Sequence, residues 1–115
     1  MAEQIAGNRD VVVGVNDTLS IGGDRQVSVG RNQSSSVQSN QTVVVGQNLT
    51  VTVGKNLRIR AADSLELVCG SASIVMKKDG TIIIKGKDVM IDASGKVTAK
   101  SSSDLVIKGS KILQN

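Results

Sequence analysis

Val43-Val44-Val45-Gly46-Gln47-Asn48-Leu49-Thr50 is followed at once by Val51-Thr52-Val53-Gly54-Lys55-Asn56-Leu57-Arg58, the same V-x-V-G-x-N-L-x pattern written twice in eight residues each. Working outward, asparagine recurs at Asn8, Asn16, Asn32, Asn40, Asn48 and Asn56, with Asp24 in the remaining slot. Two residues earlier stand Gly14, Gly22, Gly30, Gly46 and Gly54, with Gly70 in phase further on and Gln38 and Ala62 breaking the column. Apolar pairs precede that slot: Val11/Val13, Leu19/Ile21, Val27/Val29, Val43/Val45, Val51/Val53, Ile59/Ala61 and Leu67/Cys69, with Ser35/Val37 diluted. A fixed short period is the mark of a fibre or solenoid. The apolar-x-apolar pair, rich in β-branched residues, reads as a short strand with one face to a core. Gly and Asn take left-handed backbone angles most cheaply, so each octad is expected to be one strand and one sharp corner with such angles at the glycines or the asparagines. Gln38 and Ala62 are expected to turn by a different geometry.

Beyond Gly70 the repeat loosens to spacings of seven and eight, with pairs that include Ile82/Ile84, Val89/Ile91 and Leu105/Ile107. Corner glycines move to Gly80, Gly86, Gly95 and Gly109, and Asp79-Gly80 is a strong turn dipeptide. The expected organisation is one continuous domain, with regular octads over 1–73 and a looser, lysine-rich closing part over 74–115.

The chain has 115 residues and no Pro, no His and no aromatic residue, so any core must be narrow and aliphatic. No stretch is long enough for a transmembrane helix, and no signal-peptide core opens the chain. Without His, Ser-His-Asp and Cys-His constellations cannot be built, and zinc would find one Cys and carboxylates only. Asp79, Asp88, Asp92 and Asp104 sit at turn or polar positions that suit solvated carboxylates. The expectation is no enzyme, no catalytic residue, no metal site and no cofactor. Cys69 stands where other octads carry Val or Ile and reads as a small hydrophobe.

The net charge of +4 lies in the second part: residues 74–115 carry eight lysines against four aspartates. That excess suits anionic surfaces or an acidic partner, and equally suits strand edges kept from sticking to one another. Specific nucleic-acid binding is not expected, because no aromatic side chain can stack a base.

A single-chain triangular solenoid of three octads per coil would be a stub with an unpaired edge at each end. Three chains winding together use the repeat fully. The expected fold is all-β, an intertwined homotrimeric triple-stranded β-helix in the form of a triangular prism. Its axis is filled by the apolar pairs named above, and its corners are Gly14, Gly22, Gly30, Gly46, Gly54 and Gly70. Fourteen strand units at about 4.8 Å each would make a rod of roughly 67 Å.

The octads resemble the valine-glycine repeats that end the VgrG spike proteins of type VI secretion, themselves similar to the needle of the phage tail-tip spike. Cys69-Gly70-Ser71-Ala72-Ser73-Ile74, Met76-Lys77-Lys78-Asp79-Gly80-Thr81-Ile82, Ile84-Lys85-Gly86-Lys87-Asp88, Gly95-Lys96 and Val106-Ile107-Lys108-Gly109-Ser110-Lys111 read like the closing segment of many such chains. The resemblance implies a needle driven through a target envelope by sheath contraction, with a PAAR-type tip protein or effector seated on the narrow end. The chain would be assembled in the bacterial cytoplasm and then exposed or secreted through the apparatus, meeting a target membrane in passing. Lys108, Lys111, Ile112 and Leu113 are the expected tip or partner-binding residues. The large N-terminal base modules of that family have no counterpart here, which implies a fragment with an artificial start at Met1. The histidines with which some phage needles hold an apical metal ion are absent too. An alternative reading is a basic binding or carrier module for anionic lipid or an effector, without a puncturing role.

Overall fold

The computed structural model describes residues 2–115; Met1, expected to be an artificial start, lies outside the described residues. Two units follow one another, the first ending at Leu49 and the second spanning Thr50–Asn115.

In the first unit the chain runs extended and bends at Ala6–Gly7, Gly14–Val15, Gly22–Gly23, Gly30–Arg31, Gln38–Ser39 and Gly46–Gln47. The second unit continues with bends at Gly54–Lys55 and Ala62–Asp63. The interval is eight residues throughout, including the slots where Ala6, Gln38 and Ala62 replace glycine.

The backbone angles correct one expectation. Among the described residues none other than glycine has a positive φ, and positive φ is confined to Gly70 (56°) and Gly80 (95°). Gly14, Gly22, Gly30, Gly46 and Gly54 therefore bend without the left-handed conformation, and the asparagines that follow, which lie just past the bends, do not adopt it either. Gln38 and Ala62 do not mark a different kind of corner either, since a bend with negative φ is open to any residue with a Cβ. Glycine's freedom made the left-handed angle available; nothing in the octad obliges the chain to use it.

The second unit holds the regular secondary structure of the described residues: β1 (Ser64–Cys69), β2 (Ala72–Lys77) and β3 (Ile82–Lys85), an antiparallel sheet in the order β1-β2-β3. The octad pattern gives no sign that the chain folds back on itself here. Gly70-Ser71 joins β1 to β2, with Cys69 paired to Ala72, in a two-residue loop. Positive φ at the first loop residue alone is the type II′ pattern, which only glycine adopts without strain.

Between β2 and β3 the Asp79-Gly80 dipeptide makes a three-residue loop. The Gly80 N–H donates to the Lys77 carbonyl (3.0 Å) and the Lys77 N–H to the Thr81 carbonyl (2.9 Å), with Gly80 left-handed between them. A tight turn followed by a left-handed glycine is the usual way three residues reverse a strand.

After β3 the chain is again extended, with bends at Lys87–Asp88, Ser94–Gly95, Ser102–Ser103 and Ser110. The bend at Ser102–Ser103 has no glycine. Instead the Ser101 hydroxyl accepts from the Ser103 N–H (3.3 Å) and donates to the Asp104 carbonyl (3.2 Å), a local serine turn.

Candidate interchain interface

Among the described residues none is buried, and only Leu65, Ser73 and Val75 are even half-buried. The chain exposes 13031 Å². A folded monomer of 11.9 kDa would expose about 6000 Å² and its extended chain about 17000 Å². A single copy therefore retains most of the surface that folding should remove, and the missing core must come from other chains.

The backbone makes the same demand. Within the described residues, backbone-to-backbone hydrogen bonds are confined to β1, β2, β3 and their turns. From residue 2 to 63, and again from 86 to 115, extended backbone presents N–H and C=O groups with no backbone partner in the same chain. Ordering each residue costs roughly 1–2 kcal/mol, and extended segments recover it by pairing with other strands. These segments are strands awaiting partners.

The octad side chains keep one geometry. From the octad of Val13 to that of Val53 the second member of the pair, Val13, Ile21, Val29, Val37, Val45 and Val53, is 44 to 49 % exposed throughout. The first members Val11, Leu19, Val27, Val43, Val51 and Ile59 are more open, and the intervening Val12 and Val44 protrude almost fully. Each octad thus offers the same face, repeated.

In the sheet the register sorts side chains by chemistry. Leu65, Met76 and Ile82 lie side by side, as do Leu67, Ile74 and Ile84, with Cys69 beside Ala72. One face is therefore wholly apolar, because directly paired residues of neighbouring strands point the same way. The other face mixes Glu66, Val68, Ser73, Val75, Ile83, Lys77 and Lys85.

Of the expected core, Leu67, Cys69, Ile82 and Ile84 come together on the apolar face. Val89 joins them along an open groove of about 510 Å³ between that face and the Gly86–Met90 segment. Ile91, Leu105 and Ile107 lie outside the sheet and are exposed. The candidate tip residues are exposed as well, Leu113 almost fully. Leu65, Ile74 and Met76 belong to the same face but were not among the candidates; the alternation Leu65-x-Leu67-x-Cys69 is the signal that marks the first of them.

Charges add little here. Lys78 and Asp63 approach to 3.9 Å with both side chains largely in water, where such a pair contributes almost nothing. Asp79 is more informative. The Thr81 N–H donates to its carboxylate at 3.0 Å, and with help from the Thr81 hydroxyl this holds its pKa below the usual carboxylate value. A carboxyl whose pKa falls on folding stabilises the turn above its unfolded pKa, and the benefit is lost as pH falls through the lower folded value. Thermal melts between pH 7 and about pH 3 should show this. Asp79→Asn should flatten the acid side of the profile relative to the parent; identical slopes would exclude a role for this carboxylate.

A family model described as the bacteriophage T4 gp5 C-terminal trimerisation domain matches residues 1–76. No curated protein gives a significant match. The matched stretch contains every octad, the whole of β1 and β2 up to Met76. Unpaired extended backbone, a repeated apolar face and no core within one copy are what a domain that folds only by joining two others must look like. The chain belongs to the bacteriophage T4 gp5 C-terminal trimerisation domain family.

Proposed function

We propose that three copies of this chain wind into a triple-stranded β-helix that serves as the needle of a type VI secretion spike, piercing a target envelope and carrying a tip protein or effector. The observation that carries the reading is the extended, bent backbone of residues 2–63, which finds no backbone partner in its own chain and lies inside the trimerisation match. Its role is mechanical and needs no catalytic residue, metal or cofactor. Strands paired to two neighbours cannot peel away singly, so the rod resists unfolding kinetically. Assembly is correspondingly slow, because nearly all of its contacts are between chains. The needle would be built in the bacterial cytoplasm and exposed when the apparatus fires.

Sedimentation equilibrium or native mass spectrometry should give three chains per particle; a mass of one chain would remove the proposal. The tip is tested separately. Ile112 and Leu113 offer an apolar plateau for a PAAR-type protein, and Lys108 and Lys111 attract anionic surfaces. Truncation after Gly109 should abolish capture of a PAAR-type protein, whereas Lys108→Glu/Lys111→Glu should weaken binding to anionic liposomes only. The liposome contact should fade as ionic strength rises past the physiological range, while plateau docking persists. Full affinity in the truncated trimer would move the partner to the sides of the rod.

A further inference from the structure

The octads solve pairing but not alignment. Their bends recur every eight residues, and from Val13 to Val53 the second apolar residue is nearly equally exposed. Sliding one chain past its neighbours by one octad still sets apolar pair against apolar pair nearly everywhere, Ser35 being the one polar member, and loses only an end layer. The repeat itself penalises that slip little, since register is weakly specified wherever successive pairings are nearly equivalent.

Residues 64–85 are the opposite case. They keep apolar pairs at Leu67/Cys69, Ile74/Met76 and Ile82/Ile84, but there the chain folds back on itself through loops of two and three residues into paired strands, which no octad does. Their pairings are local and lie within one chain, so the meander can form before any partner arrives. It then presents a charge-free face of Leu65, Leu67, Ile74, Met76, Ile82 and Ile84. A three-stranded sheet needs such a face covered to be stable.

We infer that the β1–β3 meander is the register lock of the trimer: its apolar face docks on the same face of two further copies, and that meeting fixes which octad pairs with which. The occupant is this chain itself, because the family match runs without a break from the octads through β1 into β2. The open groove beside Leu67, Ile74, Ile84 and Val89 is space that side chains of the neighbouring copies fill. The inference rests on the trimeric reading above.

The test uses the full chain with Cys69→Ala and one nitroxide at Val44→Cys, a protruding octad position. Three-fold symmetry in a single register gives one spin-to-spin distance by pulsed electron paramagnetic resonance. Leu67→Ser/Ile74→Ser in that background should still give a trimer by mass but several distances in place of one. Val68→Ser, on the mixed face, should keep the single distance. If the double variant stays monomeric while Val68→Ser assembles, the apolar face is again where copies meet. A trimeric double variant with one unchanged distance would overturn the inference, as would several distances in the parent. A labelled parent with the mass of one chain would instead count against the trimer itself.

Discussion

Val53→Asp should leave the protein unable to assemble at micromolar concentration. Symmetry repeats every change three times, so a substitution facing the axis gathers three carboxylates around one layer. Taking each charge out of water carries a penalty of several kcal/mol, before the mutual repulsion of like charges at close range. Val53 is among the least exposed of the octad valines and has an uncharged neighbour on each side in the column, Val45 and Ala61. Sedimentation should report single chains and the cooperative melt should vanish. Val44→Asp is the matching control, because Val44 already protrudes in the isolated strand. A Val53→Asp protein with an unchanged melt would reject the assignment of inward residues.

The glycines divide into two groups with opposite expected responses. Gly80 has φ 95° and Gly70 has φ 56°. A side chain in left-handed backbone costs roughly 1–2 kcal/mol per residue, so Gly80→Ala should remove about 3–6 kcal/mol from a trimer. Gly46 bends without positive φ, and a Cβ built on it meets nothing in its own chain. Gln38 and Ala62 already occupy the same slot with the same bend. Gly46→Ala should therefore change stability by less than about 1 kcal/mol per chain, and a gain is open to it through the reduced freedom of the unfolded state. Denaturant midpoints of the two variants, compared at equal trimer concentration, decide the matter. Equal losses would mean that the octad bend depends on glycine for a reason lying in the neighbouring chains.

The repeat was readable because its physics is local. An apolar-x-apolar pair followed by a small residue fixes where a strand stops, and the chain bends at that interval from Ala6 to Ala62. Asp79-Gly80 was readable for the same reason, since a left-handed glycine after a short turn leaves few alternatives. Two things were not. The sign of φ at Gly14 or Gly46 depends on how the next strand must be aimed, which glycine permits in either hand and therefore does not announce. The fold-back at Gly70-Ser71 was hidden because alternation in Leu65-x-Leu67-x-Cys69 says that these residues want one apolar face, not whose strand will lie beside them. Pairing within a chain and pairing between chains write the same pattern.

An octad whose corner tolerates Gly, Ala or Gln without altering its bend is a unit of measure as much as a unit of structure. Removing residues 43–50, or duplicating them, would take out or add one whole layer and leave every remaining side chain on its own face. Reach can then change by copying a short stretch of gene, in whole steps, with no new packing problem to solve. In the needle proposed above, the number of repeats would be the ruler that sets the length of the rod.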